Sequence, residues 1–229
     1  MPTPIAQALP FSDRIDAAEQ LARALSAHRG RHPLVMAIPR GAVPMARVIA
    51  DRLDGQLDVV LVRKIGAPGN PEFAVGAIDE SGWLYVTPHA GRVGADQDYL
   101  RRESSRQLAL IRERRARYTP GRGPVDARGR DVIVVDDGMA TGATMRAAIH
   151  ALRRQDPAGL TCAVPVAAPL AMGAISPHVD SLVCLAAPEW FEGVGQFYLD
   201  FRQVEDSQVT AALSGSSRPA PDPPPSLDP

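Results

Sequence analysis

Hydrophobic positions recur with helical spacing near the start of the chain. Ser12 is a candidate N-cap, and the apolar residues after it share one helical face that stops at Gly30: Ile15, Ala18, Leu21, Ala22 and Leu25. A continuous apolar run at 34–38 is followed by Pro39-Arg40-Gly41, and helical spacing resumes over 43–53. The pattern predicts a packed helix, then a strand, a loop and a second helix.

Runs of β-branched residues predict further strands. One run covers 57–62, and two more, 74–79 and 83–87, are joined across Glu80-Ser81-Gly82 as in a hairpin. Residues from about 96 to 118 have the spacing of a long polar helix with a thin apolar stripe, and a loop rich in Gly, Pro and Arg follows to Arg130.

Strands and helices alternate in the rest of the chain. Strands are predicted at 131–135, 160–166 and 182–185, and a helix at 143–152. Apolar strands that alternate with amphipathic helices predict an α/β fold with a mostly parallel central sheet and helices on both faces. Residues 1–10 lack periodicity and 214–229 are rich in Pro and Ser, so we expect both ends to be disordered and 11–213 to form one domain.

Composition narrows the class of protein. A chain of 229 residues with 45% hydrophobic residues can bury one full core, and its net charge of −1 gives no general attraction to nucleic acid or anionic membranes. Seven arginines between Arg101 and Arg117, with few aromatic residues among them, predict a solvated helix face rather than a nucleic-acid-binding one. We therefore expect any anion to be held locally.

The N-terminal sequence and the cysteines bear on location. Acidic residues at 13, 16 and 19 do not fit a signal peptide, and no stretch is long enough to span a bilayer, so we expect a cytoplasmic protein without a membrane partner. Cys162 and Cys184 lie in apolar, strand-like runs without histidines at ligand spacing. They predict two buried thiols rather than a zinc site or a disulfide framework.

The most informative segment is 132–144, with the sequence VIVVDDGMATGAT. Its four apolar β-branched residues predict a buried strand, and open α/β sheets bind ligands beyond the carboxyl ends of such strands. Asp136 and Asp137 lie at that end, and a pair of carboxylates suits the vicinal hydroxyls of a ribose. Because side chains alternate along a strand, the chain must leave the strand at Asp137, which Gly138 permits.

The next five residues open a helix with small side chains and two hydroxyls: Ala140, Thr141, Gly142, Ala143 and Thr144. Several backbone N–H groups can then approach one phosphate at the helix N-terminus. The helix dipole contributes only about 0.3–1 kcal/mol at an exposed site. Charge-assisted hydrogen bonds of roughly 1.5–3 kcal/mol each must therefore supply most of the affinity. The Lys of a GxxxxGK[ST] loop is missing, which argues against a nucleoside triphosphate.

The segment 132–144 closely resembles the signature of type I phosphoribosyltransferases, which bind phosphoribosyl pyrophosphate (PRPP). The resemblance implies that Asp136 and Asp137 bind the ribose hydroxyls and that Ala140, Thr141, Gly142, Ala143 and Thr144 hold the 5′-phosphate. An ordinary strand followed by an Asp/Gly turn and a Thr N-cap would explain each piece separately, but not all thirteen positions together.

Two further segments fit the same resemblance. Pro39, Arg40 and Gly41 look like the family's pyrophosphate loop, although a Pro-Gly turn with a solvated Arg is the alternative. Arg63 and Lys64 resemble the basic residues before the family's flexible catalytic loop, and the resemblance implies that they too bind pyrophosphate. Residues 65–72 have the Gly and Pro density of a surface loop that would form a lid.

A third segment, at about 187–204, resembles the small base-binding hood of purine phosphoribosyltransferases. It holds five of the eleven aromatic residues, for which core packing is the alternative explanation. The resemblance implies that Phe191 stacks on the base and that Asp200 lies near metal-bound pyrophosphate. Ala140 departs from the acidic residue of the 6-oxopurine enzymes, which argues against hypoxanthine or guanine as the acceptor.

Taken with RKIGAPGNPEFAVGAI, AVPVA and FYLDF, the order of elements resembles a group of bacterial phosphoribosyltransferases whose acceptor is not established. The resemblance implies a Mg²⁺-dependent enzyme that transfers the 5-phosphoribosyl group of PRPP to a nitrogenous acceptor, with Asp136, Asp137 and Lys64 as catalytic residues. A non-catalytic PRPP or nucleotide sensor and an enzyme that cleaves a ribosyl phosphate are the alternatives. PRPP and an unidentified acceptor are the expected partners, and a homodimer is the candidate assembly.

Overall fold

Five parallel strands form the central sheet of the computed structural model, which describes residues 9–215 apart from the side chain of Glu72. Their order is β2-β1-β6-β7-β8. The strands are β1 (Leu34–Ala37), β2 (Gln56–Val59), β6 (Asp131–Val135), β7 (Gly159–Val166) and β8 (Ser181–Ala186). The predicted disorder of the two ends concerns mostly residues 1–8 and 216–229, which lie outside the described residues.

Alternate side chains of the central strands enter two separate cores. Val35 and Ile133 pack on one face with residues of α1 (Arg14–Ala24) and α2 (Ala42–Leu53). Met36 and Val134 pack on the other face with residues of α4 (Ala143–Arg153) and α5 (Pro169–Ile175). Because each strand is buried on both sides, its sequence is a continuous apolar run. The predicted fold class, a mostly parallel sheet with helices on both faces, is confirmed.

The first helix begins one residue later than predicted. Asp13, not Ser12, is its N-cap, and the Asp13 carboxylate accepts hydrogen bonds from the amides of Ile15 and Asp16, both at 2.8 Å. The position of Ile15 was also predicted wrongly, because its side chain is 44% exposed while Leu21 is buried. One consequence of this start is that Arg14 becomes the first helical residue, at the edge of the sheet.

The segment 65–72 is not the irregular loop that its Gly and Pro content predicted. It forms the turn between β3 (Val62–Ala67) and β4 (Asn70–Asp79), which pair antiparallel and continue into β5 (Leu84–Val86). Gly69 supplies the turn with a φ of 72°. At Gly66, a Cβ would lie 2.6 Å from the Cα of Pro71, so here glycine permits close approach of two strands.

The same sheet changes two other predictions. The run 57–62 is divided between β2, which ends at Val59, and β3, which begins at Val62. The hairpin predicted from 74–79 and 83–87 is confirmed as β4 and β5. This three-stranded antiparallel sheet stands beside the parallel one and contacts both α4 and α3 (Gln97–Tyr118).

The arginine-rich helix α3 is not a uniformly solvated face. Arg115 is buried, with 7% of its residue surface exposed, and forms ion pairs with Asp58 and Glu80, both at 2.8 Å. The prediction of a solvated face is therefore wrong at Arg115, whereas Arg101 and Arg106 are exposed and pair with acids on their own helix.

Helices α5 and α6 (Asp206–Ser214) were not predicted from the sequence, and both are short. α6 begins with a capping box between Glu205 and Gln208. Cys162 and Cys184 are free and buried, as predicted, and burial raises the pKa of the Cys184 thiol to about 11. No helix within residues 9–215 is long and apolar enough to cross a membrane.

Candidate active site

Two consecutive carboxylates follow the end of β6 and face a single arginine. The guanidinium of Arg14, from the first turn of α1, donates through Nε and Nη2 to Oδ2 of Asp137, each at 2.9 Å. These side chains are only 12% and 17% exposed. The Asp137 amide donates to Oδ1 of Asp136 at 2.9 Å, which bends the chain out of the strand. Both carboxylates therefore lie at the carboxyl edge of the sheet, as predicted.

The surroundings of the acidic pair disfavour ionisation of both carboxyls at once. Burial raises the pKa of Asp136 well above its ordinary value, and the neighbouring Asp137 carboxylate raises it further. Burial also raises the pKa of Asp137, although the Arg14 guanidinium acts in the opposite direction. Such a pair has acceptor capacity left for hydrogen-bond donors of a ligand.

The C-terminal segment, which was predicted to form a hood, contacts Arg14 and the backbone of Asp137. The Tyr198 hydroxyl donates to the Asp137 carbonyl at 2.6 Å, and Arg14 Nη1 donates to the Arg202 carbonyl at 2.7 Å. The Arg14 guanidinium also lies 3.8 Å from the centre of the Phe201 ring. The N-terminal helix, the acidic pair and residues 198–202 thus form one connected unit.

The loop after the acidic pair has amides that the protein leaves largely without acceptors. It is anchored at Met139, whose amide donates to Val166 at 2.9 Å and whose carbonyl accepts from Ala168 at 2.9 Å. Gly142 has a φ of 74° and precedes the first residue of α4. Among the described residues, the amides of Ala140, Thr141, Gly142 and Thr144 have no protein acceptor, and the Ala143 amide reaches only Thr141 Oγ1, at 3.4 Å.

The predicted phosphate residues Thr141, Gly142, Ala143 and Thr144 line one cavity of about 380 Å³. Arg63 and Lys64, on β3, line the same cavity. Arg63 also donates to Gln107 of α3. Burial lowers the pKa of Arg63, and the nearby positive charges of Arg114 and Arg106 lower it further. The two cations and the loop Thr141–Thr144, which are far apart in sequence, therefore lie around one space.

The second predicted anion loop lies directly against the acidic pair. Ile38 donates to the Val135 carbonyl at 3.0 Å, so Pro39, Arg40 and Gly41 leave the sheet beside Asp136. A Cβ at Gly41 would lie 2.0 Å from Oδ2 of Asp137, which leaves no space for a side chain. The Pro39–Arg40 peptide bond is cis, and Arg40 lies 3.7 Å from Asp206.

Two predicted site residues make contacts that do not belong to this cluster. Phe191 is half-buried and packs on Phe197 with ring centres 4.9 Å apart. Asp200 forms an ion pair with Arg202, and this contact lowers the pKa of Asp200. Base stacking by Phe191 and proximity of Asp200 to a metal stay predictions.

The sequence did not single out Arg14 or Tyr198 as parts of the site. Arg14 follows a helix N-cap and belongs to no motif, so its only signal was a cation near a helix start. Tyr198 lies within FYLDF, which was recognised as a pattern but without a role for the hydroxyl. Both act on Asp137 from more than sixty residues away in sequence, a distance that local patterns do not report.

Comparisons with known proteins agree with this arrangement. Residues 11–202 match the family model described as a phosphoribosyl transferase domain. Two Mycobacterium tuberculosis proteins, named "Putative phosphoribosyl transferase MT0597" and "Putative phosphoribosyl transferase Rv0571c", are 37% identical over 91% of this chain and 47% of their own length. The chain thus spans about half the length of these curated relatives.

A solved structure is similar over nearly the full chain. The crystal structure of TT1426 from Thermus thermophilus is 46% identical and superimposes with a TM-score of 0.82. The match covers 92% of this chain and 100% of the other. The arrangement of sheet and helices described above is therefore shared with an experimentally determined fold.

Proposed function

This chain belongs to the phosphoribosyl transferase domain family, and from that premise we propose that it transfers the 5-phosphoribosyl group of PRPP to a nitrogenous base or related acceptor, with release of pyrophosphate. One observation carries the proposal. An acidic pair that faces a single arginine, a loop of unpaired amides and the Gly41 loop all lie at adjoining strand ends. Sugar hydroxyls, a monophosphate and a diphosphate are the three groups that such a site would hold.

The loop 140–144 would bind the 5′-phosphate. The unpaired amides of Ala140, Thr141, Gly142 and Thr144 are donors, and the hydroxyls of Thr141 and Thr144 add two more. Hydrogen bonds to a charged group contribute about 1.5–3 kcal/mol each, so three or four of them outweigh the dipole contribution of roughly 0.3–1 kcal/mol. The anion would thus be held by specific donors rather than by a general field.

Asp136 and Asp137 would bind the ribose hydroxyls. Burial and mutual repulsion make the pair unfavourable in the ligand-free protein, and two hydroxyl donors would relieve part of this cost. Arg14 fixes one oxygen of Asp137 and leaves the rest of the pair available. The sugar would then be positioned with its reacting carbon toward the Gly41 loop, which contacts Asp137.

Transfer would proceed by displacement at C1 of the ribose. A nitrogen of the acceptor forms the new bond to C1 as the C1–O bond to pyrophosphate breaks, and the pyrophosphate leaves with the electron pair. The Gly41 amide with the side chains of Arg40 and Lys64 would compensate the charge that develops on the leaving group. Positioning and electrostatics, rather than a covalent nucleophile, would supply the rate enhancement.

The residues present fit Mg²⁺ bound together with PRPP. No group of three or more His, Cys, Asp or Glu side chains within residues 9–215 is arranged to hold a metal alone. Mg²⁺ usually takes only one or two protein carboxylates and completes its shell with phosphate oxygens and water. Asp136 and Asp137 offer such a pair, and a bound cation would favour their ionised forms. When bound, the ion would neutralise charge on the pyrophosphate.

The proposal is tested by measuring thermal stabilisation by Mg-PRPP and then the release of pyrophosphate. Thermal unfolding of the parent, Thr144→Ala and Ser105→Ala is measured with and without Mg-PRPP. Ser105 is the matched control, because it also carries a hydroxyl on a helix. Its side chain, on α3, donates to the Arg101 carbonyl at 3.0 Å. At 100 times its dissociation constant PRPP adds about 2.7 kcal/mol of stability. We expect that gain in the parent and the Ser105 variant, and a clearly smaller gain in the Thr144 variant.

Pyrophosphate release from Mg-PRPP with a panel of nucleobases then separates enzyme from sensor. Release with at least one base supports the transferase. PRPP binding without release in the presence of any base would favour the non-catalytic sensor, and release without any base would favour cleavage of the ribosyl phosphate. An equal gain in all three proteins would exclude the Thr144 hydroxyl as a donor to the phosphate.

A further inference from the structure

A second cavity, of about 700 Å³, is lined by helix α3 and by the turn that joins β3 to β4. Gly66, Gly69 and Pro71 line it from the turn. Tyr99, near the start of α3, also lines it and donates through its hydroxyl to the Gly66 carbonyl at 2.7 Å, so the turn is tied to the helix. The volume falls in the usual range of small-molecule sites, roughly 300–1,000 Å³.

The lining of this 700 Å³ cavity is rich in arginine. Arg106 and Arg114 are eight residues apart on α3, just over two helical turns, so both lie on the helix face that meets the cavity. Arg63 lines the same space from β3. Glu103 is the one acid among the described residues that line it. Three guanidinium groups from two elements therefore accompany one carboxylate.

The Glu103 carboxylate is already engaged. It accepts from Arg106 at 2.7 and 2.9 Å and from the Gln107 side-chain amide at 2.7 Å. Arg63 donates to the neutral Gln107 oxygen and forms no ion pair within the described part of the chain. Arg114 is half-buried and forms neither a hydrogen bond nor an ion pair with a described residue. Arg63 and Arg114 thus have donors left for an anion.

The arginines of α3 are a set of donors apart from the candidate active site. Three residues line both this cavity and the 380 Å³ one: Arg63, Lys64 and Thr144. Arg106 and Arg114 line only the 700 Å³ cavity, and the acidic pair Asp136 and Asp137 lines neither. The proposed transfer reaction therefore leaves the α3 side of this cavity without a role.

The chemistry of the lining favours phosphate groups. A guanidinium presents a planar fork of N–H donors that matches two oxygens of one phosphate. Arg63 and Arg114 lie on different elements, so an anion with charged groups at more than one point satisfies both better than a single small ion. Burial lowers the pKa of Arg63, and the positive charges of Arg114 and Arg106 lower it further, so a bound anion would relieve repulsion among the three.

We propose that the 700 Å³ cavity binds a chain of linked phosphates, inorganic or part of a nucleotide, through Arg114 and Arg63 with Arg106 beside them. This site is additional to the one proposed for PRPP. The inference goes beyond the proposed function and does not depend on transferase activity.

Inorganic tripolyphosphate is the probe, and its binding to the full-length protein is measured by isothermal titration calorimetry without Mg²⁺. In Arg114→Met we expect the dissociation constant to rise about tenfold, because one charge-assisted interaction is lost. Arg114→Lys keeps the charge without the fork and should bind with intermediate affinity. Arg112→Met is the matched control, since Arg112 is exposed on the same helix and does not line the cavity. Thermal unfolding without ligand checks that each variant is folded.

Three outcomes would overturn the proposal. The first is the absence of tripolyphosphate binding at millimolar concentration. The second is an equal loss of affinity in the Arg112 and Arg114 variants, which would show general attraction to a basic helix. The third is a loss in Arg40→Met with unchanged affinity in Arg114→Met, which would place the anion at the loop of Pro39, Arg40 and Gly41 instead.

Titration with ATP and GTP identifies the source of the phosphate chain. Binding that depends on Arg114 and is tighter than that of tripolyphosphate assigns the site to a nucleotide, whereas equal or weaker binding assigns it to an inorganic chain. The result is also separable from that of the proposed function. Tripolyphosphate binding that depends on Arg114, in a protein that PRPP does not stabilise, would uphold this site and reject the transferase. Stabilisation by PRPP without such binding would do the reverse.

Discussion

Two clusters of arginine and carboxylate lie in this chain with different ratios of cations to acids. Around Arg115, two cations face two acids: the guanidinium donates to Asp58 and Glu80 at 2.8 Å, and Arg122 lies 3.7 Å from Asp58. Around Arg14, one cation faces both Asp136 and Asp137. The first cluster is compensated charge by charge, and the second has a surplus acid.

Hydrogen bonding follows the same division. The fully buried Asp58 also accepts from the Val125 amide at 2.8 Å, and Arg115 gives a further bond to the Val59 carbonyl at 2.9 Å. Although burial lowers the pKa of Arg115, its bonds to Glu80 and Asp58 raise it overall. At the acidic pair, burial prevails and both carboxyl pKa values rise. A completed cluster stabilises the fold, whereas an incomplete one is prepared for a ligand.

The largest expected effect is on the complete cluster. Arg115→Met removes the guanidinium and leaves Asp58 buried without its principal cation. Breaking a buried pair by removing one partner costs about 3–5 kcal/mol, so we expect a loss of that size in the free energy of unfolding. Urea denaturation measures it.

The control for this change lies on the same helix. Arg101 is 74% exposed and pairs with Asp98 at 3.1 Å, so Arg101→Met should leave the unfolding free energy almost unchanged. Equal effects of the two substitutions would show that the Arg115 cluster is no more important to stability than a surface ion pair.

The next effect belongs to the incomplete cluster and depends on ligand. Asp137→Asn keeps the shape but removes the negative charge and replaces one acceptor oxygen by an NH2 donor, so most of the roughly 2.7 kcal/mol of stabilisation by PRPP at 100 times its dissociation constant should be lost. Asp131→Asn, at the start of β6, is the matched control and should retain it. Thermal unfolding with and without Mg-PRPP gives both values, and full stabilisation of the Asp137 variant would contradict a role in binding.

Much of the fold could be predicted because its signals are local. Four apolar β-branched residues before Asp136 predict a buried strand whatever else the chain does, and the parallel sheet followed from several such runs. The hairpin at 65–72 was missed because Gly66 is required by the approach of Pro71 on the paired strand, not by a loop. Glycine content alone does not distinguish these two causes.

The residues of the candidate site also divide into those with a local sequence signal and those that depend on tertiary packing. The loop 140–144 could be predicted because small residues and hydroxyls at a helix start have a local meaning. Arg14 could not, because its effect on Asp137 depends on how the first helix packs against the sheet edge. Arg115 was assigned to a solvated face for the converse reason. It lies among other arginines in sequence, of which Arg112 and Arg117 are exposed, and only tertiary packing places it against Asp58.

A smaller effect should come from steric contact between the two loops of the incomplete cluster. A Cβ at Gly41 would lie 2.0 Å from Oδ2 of Asp137, so Gly41→Ala must displace that carboxylate and with it Arg14. We expect a loss of about 1–3 kcal/mol in unfolding free energy, as for other overpacked sites, together with weaker PRPP binding. Gly173→Ala is the control, since no heavy atom lies within 4 Å of its added Cβ and it is in helix α5. A neutral Gly41 variant would show that the two loops are not in contact.

The smallest expected effect is a change in the pH dependence of stability of the ligand-free protein, caused by the surplus acid of the incomplete cluster. The folded-state pKa of Asp136 is raised by burial and by Asp137, so the folded state binds more protons than the unfolded state between the two pKa values. Stability from this group is therefore fully present at pH values below the ordinary pKa of 3.8 and is lost as pH rises through the folded-state pKa. Asp136→Asn keeps an Oδ1 acceptor for the Asp137 amide but cannot ionise. We expect the variant to be more stable than the parent at pH 8, with a difference that shrinks as pH falls. Urea denaturation at pH 5, 6.5 and 8 measures this trend. A parent that is equally stable or more stable than the variant at pH 8 would mean that the pair is as well compensated as the Arg115 cluster.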